Sequence, residues 1–467
     1  MSSRLLGLLL FTGLAASGPV AAQQFVSLPP GSVARDITPD GEVVVGGYGY
    51  GGGFIWRWRV DPAPTIILEG ALVGVSDDGT VACGNLDVGS NDGTAGIWTA
   101  ATGLQTLGYL PGSDPLCGGG LSSAYDISGD GTTIVGLSWG DSCSGLGFIW
   151  TAATGMQPLQ SLASGHNRCS SISGDGSVLA GFAQGSFSRT PAFWNPDTSG
   201  SVIDPDLMGE VHRSTEDGGQ SVGTLYFTGS LFTAFIRDNQ SGAFTNLGQL
   251  QSGWAAAASD LSADASVIVG YDYISLSRKA WVWTDVDGMI GLKERLTALG
   301  VTVVPELQSC LAVSDDGTVV VGMADVAGGP FGSGAFIAEI PKPTSQWTNL
   351  AGGLAGTAGI PKLVGNGTLV AGTQTSVVLT RGKPLSQAAL VLGPSNAQLP
   401  FKQGVLVPAP DWVFTFPQLS GSGAISVSFH WPAGLPSGFD LYWQFLVSDP
   451  VAPAGVALSN ALESLTP

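Results

Sequence analysis

Apolar and polar positions fall into one short pattern that recurs along most of the chain. An apolar residue, Ser or Thr, any residue, Asp and usually Gly precede a Val-rich run that ends in Gly. The copies are Ile37-Thr38-Pro39-Asp40-Gly41 closing at Gly46, Val75-Ser76-Asp77-Asp78-Gly79 at Gly84, and Ile127-Ser128-Gly129-Asp130-Gly131 at Gly136. They continue with Ile172-Ser173-Gly174-Asp175-Gly176 at Gly181, a degenerate Ser214-Thr215-Glu216-Asp217-Gly218 at Gly223, Leu261-Ser262-Ala263-Asp264-Ala265 at Gly270, and Val313-Ser314-Asp315-Asp316-Gly317 at Gly322. The closing glycine always lies six residues after the aspartate, whereas the aspartates themselves are 38 to 52 residues apart. A constant internal spacing with variable separation marks one structural unit joined by loops of different length.

Asp-Gly between two apolar runs predicts a tight hairpin, because glycine accepts a positive φ. A third apolar strand follows, as Gly53-Phe54-Ile55-Trp56, Gly147-Phe148-Ile149-Trp150 or Ala280-Trp281-Val282-Trp283, and in several copies a fourth, as Gly103–Gly108. Four-stranded units repeated in this way read as propeller blades, and seven copies predict a seven-bladed β-propeller over 23–340. The seventh copy lacks its own fourth strand, and Phe25-Val26-Ser27-Leu28 at the other end resembles one, so strand 25–28 is expected to close the ring. After a short linker, 341–346, the region 347–467 has short alternating runs punctuated by Pro and Gly, the pattern of a small β-sandwich domain. The fold class is therefore all-β, a seven-bladed β-propeller followed by a small β-sandwich.

The Ser-x-Asp-Gly hairpins and the aromatic third strands together resemble the extracellular family of HAF repeats, over about Phe25–Ile340. That resemblance implies a propeller-like repeat fold in an exported protein; it implies no particular reaction. The C-terminal region is similar to the β domains appended to other exported bacterial proteins.

The N-terminus agrees with export. Arg4 precedes the apolar stretch Leu5–Ala16, too short for the roughly 20 residues of a membrane span, and small residues lead to Ala22. Residues 1–22 read as a signal peptide cleaved between Ala22 and Gln23, giving a secreted, periplasmic or extracellular protein without a membrane span. Charged residues are only 11% of the chain, and the net charge is −19. After Ser345 the carboxylates Asp411, Asp440, Asp449 and Glu463 balance Lys362, Arg381, Lys383 and Lys402. All the excess acidity thus belongs to the repeat region, which argues against a nucleic-acid partner.

Candidate chemistry is sparse. Cys-x-x-Cys pairs and phosphate loops are missing from the sequence, and it holds three histidines, His166, His212 and His430. The turn aspartates suggest calcium, but one carboxylate per turn falls short of its six to eight oxygens, so no cofactor is assigned and calcium stands as the alternative. A sharper candidate comes from aligning the innermost strands. Four residues before each turn aspartate stand Asp36, Gly74, Asp126, Ser171, Arg213, Asp260 and Ala312, with Arg35, Tyr125 and His212 beside them. The innermost strand of a propeller lines its axis, so Asp36, Asp126, Ser171, His212, Arg213 and Asp260 form the candidate binding site at the axial mouth. The bland alternative is that the carboxylates bond backbone N–H groups of adjacent blades. Cys117 and Cys143 flank the third hairpin and are expected to form a disulfide, while Cys83, Cys169 and Cys310 read as buried thiols.

Function is read as binding, of a glycan or protein surface ligand, at the cell surface, periplasm or extracellular matrix. The alternative is an enzyme acting on a polysaccharide or small ester at the axial mouth.

Overall fold

The computed structural model describes residues 25–466 apart from 49–50, 87–92, 113–120, 141–142, 186–187, 227–230, 285–286, 302–304, 326–332, 342–346, 351, 358, 367–368 and 422. The segment 1–22 read as a signal peptide, Gln23 beside it, and Cys117 lie outside the described residues. The chain divides into two compact units, one of Met1–Trp283 and Gly288–Ile340 and the other of Thr284–Asp287 and Pro341–Pro467.

The hairpin chemistry of the repeat is the same in every copy. In the third, Gly131 adopts φ +71°, the Ser128 hydroxyl donates to Asp130 Oδ1 (2.7 Å), and the Thr132 N–H donates to the same oxygen (2.9 Å). The Thr133 N–H in turn donates to Ser128 Oγ (3.0 Å). Thr38–Asp40, Ser76–Asp78, Ser173–Asp175, Thr215–Asp217, Ser262–Asp264 and Ser314–Asp316 repeat the hydroxyl–carboxylate bond. The turn aspartates are thus committed to their own turns. Among the described residues, no group of three or more His, Cys, Asp or Glu is arranged to hold a metal ion.

Each hairpin is the inner half of a four-stranded antiparallel sheet. The first sheet is Ser32–Ile37, Val43–Tyr48, Gly53–Arg57 and Thr65–Ile67 in that order. The innermost strands of the next five are Gly70–Val75, Ser122–Ile127, Asn167–Ile172, Gly209–Ser214 and Ala255–Leu261. In the last sheet the repeat supplies Glu306–Val313, Val319–Asp325 and Ser333–Glu339, and Phe25–Pro30 from the other end of the unit adds the outer strand, Phe25 opposite Ala338 and Val26 opposite Ile337. Each sheet packs on the next: Val43–Tyr48 against Gly70–Val75, and so on round to Ser32–Ile37 against Val319–Asp325. The result is a closed ring of sheets, the arrangement of a β-propeller.

Packing between sheets explains the constant closing glycine. A Cβ at Gly46 would stand 2.0 Å from the Val33 carbonyl oxygen and 2.8 Å from the Phe54 ring; at Gly136 it would meet the Ser123 carbonyl oxygen at 2.1 Å and Phe148 at 2.7 Å. Phe54, Phe148, Phe235, Trp281 and Phe336 all cover such a glycine and are fully buried. The third-strand aromatics are core, which is where the sheets join.

One α-helix occurs among the described residues, Leu292–Ala298, where the sequence reading has none. Leu292 and Leu296, one helical turn apart, are fully buried with Leu307 and Cys310, and this local apolar spacing outweighs the β-rich surroundings.

The second unit is also all-β. Trp347–Asn349, Leu462–Leu465, Asp440–Ser448, Ala388–Gly393 and Trp412–Phe416 form one sheet in that order, with Val456–Leu458 also paired to Asp440–Ser448. Lys362–Asn366, Gln374–Thr380 and Ile425–His430 form another. Leu390, Trp443 and Phe445 of the first share a core with Val377 and Leu379 of the second. His430 is exposed on its strand.

Candidate functional site

The innermost strands are not regular. In every one the pairing register shifts by one residue, between Ala34 and Asp36, Leu72 and Gly74, Ala124 and Asp126, Cys169 and Ser171, Val211 and Arg213, Ala258 and Asp260, and Cys310 and Ala312. A β-bulge lets two successive residues escape strict alternation and re-aims a side chain. The residue at each bulge, namely Arg35, Val73, Tyr125, Ser170, His212, Ser259 or Leu311, lines one cavity of about 310 Å³. The residue after it enters a buried layer beneath.

Arg213 is the centre of that lower layer. Its Nη1 donates to Asp126 Oδ1 (2.6 Å), its Nη2 to Asp36 Oδ1 (3.0 Å), and its Nε lies 3.4 Å from Asp260 Oδ1. The second oxygen of each carboxylate accepts a backbone N–H from the next sheet: Val75 for Asp36 (3.0 Å), Ile172 for Asp126 (2.9 Å) and Val313 for Asp260 (2.9 Å). Burial pushes Asp126 up to about 6 and Asp260 up to about 7, with Arg213 opposing and Asp36 adding repulsion. Burial alone would lower the Arg213 pKa, but the three carboxylates hold it well above its usual value. Ser171 completes the layer, fully buried, its hydroxyl without a hydrogen-bond partner among the described residues.

The candidates therefore separate. Asp36, Asp126, Asp260 and Arg213 do meet on the axis, as the alignment predicts. Asp126, Ser171 and Asp260 are 1%, 0% and 5% exposed and present almost no surface to a ligand. Only Asp36, His212 and Arg213 border the cavity. The three aspartates staple sheet to sheet, and Arg213 closes the channel between them.

His212 sits in the cavity wall with Nδ1 2.7 Å from the Ala258 carbonyl oxygen and Nε2 3.1 Å from Glu210 Oε1. Both nitrogens face oxygen atoms of the protein rather than the open cavity. Burial would raise the Glu210 pKa, but the His212 hydrogen bond and the charges of Arg168 and Arg189 hold it at about 2. Arg168 also lies over the Tyr125 ring, 4.6 Å from its centroid.

Beyond Arg213, at the hairpin-turn end, a smaller space of about 60 Å³ is bordered by Asp77, Glu216 and Asp315. Burial and mutual repulsion push Glu216 up to about 7 and raise the other two. Glu216 fits because its neighbour in the fourth sheet is Gly174; a Cβ there would overlap Glu216 Oε2 at 1.3 Å.

His166 and the tryptophans outside the repeat pattern take quieter places. His166 Nδ1 accepts the Gly145 N–H (2.6 Å) and its ring meets Trp139 edge-on, and Trp139 and Trp254 are half-buried. Cys83, Cys169 and Cys310 are buried free thiols.

Ser123, Ser259 and Asn85, which also line the cavity, escape sequence reasoning. A signal for the site exists all the same: Arg35-Asp36, Tyr125-Asp126, His212-Arg213 and Ser259-Asp260 each put two polar residues in succession inside an otherwise alternating strand.

No family model matches the chain, and no curated protein matches it. Among solved structures, an oligogalacturonate lyase from Vibrio parahaemolyticus is similar at 12% identity and a TM-score of 0.45, over 69% of this chain and 98% of the lyase. The β-propeller domain of the trilobed protease from Pyrococcus furiosus is similar at 10% identity and a TM-score of 0.43, over 64% of this chain and 93% of that domain. TolB from Acinetobacter baumannii is similar at 10% identity and a TM-score of 0.37, over 56% of this chain and 61% of its own.

Proposed function

We propose that this chain is an exported binding module of the HAF-repeat kind, a seven-bladed β-propeller followed by a β-sandwich, whose ligand enters the axial cavity. The observation that carries the binding role is the cavity itself: about 310 Å³, lined by one bulge residue from each sheet and floored by Arg213. Its size lies at the lower end of small-ligand pockets, roughly 300–1,000 Å³. A bulge costs regular pairing, and here each repeat spends one on aiming a side chain at the same space. The basic, apolar and small-residue run over 1–22 supports export. The core shared by the two C-terminal sheets supports the sandwich. A glycan or a protein surface loop is the partner class, and a Cys117–Cys143 disulfide suits an oxidising compartment.

The test is retention on a panel of immobilised polysaccharides, with soluble products assayed in parallel, for wild type and Ser170→Trp. Ser170 lines the cavity, and an indole there fills it. Retention by wild type that is lost in Ser170→Trp, with melting unchanged, supports the proposal. Retention equal in both proteins places binding elsewhere, and release of product moves the chain to the enzymes.

A further inference from the structure

The cavity contains a charge that the protein does not neutralise. Arg35 makes no hydrogen bond, ion pair or ring contact among the described residues, although its side chain reaches the cavity. Its flanking bulge residues on the neighbouring sheets are Val73 and Leu311, which offer no acceptor. The carboxylates within reach of the axis are already engaged: Asp36 by Arg213 and the Val75 N–H, Glu210 by His212, Arg168 and Arg189. Partial desolvation by the surrounding wall lowers the Arg35 pKa, the positive charge of Arg278 lowers it further, and Tyr125 opposes them.

The rest of the wall is supplied with donors in the same condition. The hydroxyls of Tyr125, Ser123 and Ser259 border the cavity and have no hydrogen-bond partner among the described residues. A guanidinium with several hydroxyls around it matches an oxyanion with further oxygens attached, since a carboxylate or phosphate accepts paired N–H bonds from arginine. That an acidic chain keeps an exposed arginine without an ion-pair partner at this cavity wall is the opposite of what its overall charge favours.

Resting on the axial cavity as the binding site, we infer that it takes a small oxyanion, a carboxylate- or phosphate-bearing molecule of about monosaccharide size, with Arg35 as the charge-recognising residue. Tyr125, Ser123 and Ser259 bond the remaining oxygens, and Arg213 stays committed to its three aspartates.

Calorimetric titration with glucuronate, glucose and inorganic phosphate tests this, using wild type, Arg35→Met, Arg35→Lys and Tyr125→Phe. Wild type is expected to bind glucuronate or phosphate and to bind glucose at least tenfold more weakly; the anion that binds identifies the carboxylate or the phosphate source. Arg35→Met is expected to lose tenfold or more in affinity, and Arg35→Lys to lose less. Should Arg35→Met fail to fold, Tyr125→Phe and the salt dependence of wild-type binding, weakening with ionic strength, carry the test. Equal affinity for glucose and glucuronate, undiminished binding by Arg35→Met, or binding of neither anion overturns the inference. Polysaccharide retention lost in Ser170→Trp but kept in Arg35→Met leaves the cavity as the binding site and rejects only the anion.

Discussion

Arg213 and Asp126 are 87 residues apart in the chain, and Nη1 of one lies 2.6 Å from Oδ1 of the other. The same guanidinium reaches Asp36 across 177 residues. One side chain of the fifth repeat therefore ties together the first and third, and its neighbour Asp260 the sixth, at the point where all sheets converge.

Removing that guanidinium leaves three buried carboxylates facing one another. Arg213→Met is expected to destabilise the propeller by about 3–5 kcal/mol, the usual cost of breaking a buried ion pair from one side. Arg213→Lys keeps the charge but not the fork and is expected to fall between. Chemical denaturation of all three proteins measures this; a Met variant as stable as wild type would show the aspartates to be satisfied by their backbone bonds alone.

Stability should fall as pH rises through the neutral range. Asp126, Asp260, Glu216 and Asp272 have pKa values raised to about 6, 7, 7 and 6. The folded protein holds protons there that the unfolded chain releases near pH 4, so their contribution is complete below about pH 4 and is lost as pH climbs through 6–7. Glu210, held at about 2, acts oppositely, but only below the usual carboxylate range. Melting temperatures between pH 4.5 and 8 should decline, and Asp260→Asn should flatten the decline. A melting temperature that rises across this interval would contradict the assignment.

The closing glycines test the packing argument. Gly136→Ala forces a Cβ to within 2.1 Å of the Ser123 carbonyl oxygen and 2.7 Å of Phe148, whereas at Gly185 a Cβ meets nothing within 4 Å. The first substitution is expected to cost about 1–3 kcal/mol, as overpacking does, and the second very little. Equal effects on urea midpoints would mean that the inner strands yield more easily than the ring geometry implies.

The expected Cys117–Cys143 bond is checked by non-reducing peptide mapping of the purified protein. A peptide pair joined through these two residues is the predicted result, with Cys83, Cys169 and Cys310 alkylated only after unfolding because they are buried. Recovery of Cys117 and Cys143 as separate free thiols would reject the pairing.

The repeat unit was legible in the sequence because its determinants are local. The Ser128–Asp130 bond and the φ of Gly131 involve residues three apart at most, so the hairpin recurs wherever those residues do. The axial alignment of Asp36, Asp126, Arg213 and Asp260 was legible for the same reason, since equal offsets from equal turns land at equal heights. The partners were not. That Asp126 spends one oxygen on the Ile172 N–H and the other on Arg213 depends on how closely neighbouring sheets approach. The bulge that turns Arg35 into the cavity while Asp36 goes into the layer below is set by pairing across two strands, with Gly46 opposite Ala34 and Val45 opposite Asp36. Spacing along one chain fixes periodicity and turns; burial and charge pairing are properties of the innermost strands meeting, and only the closed ring decided them.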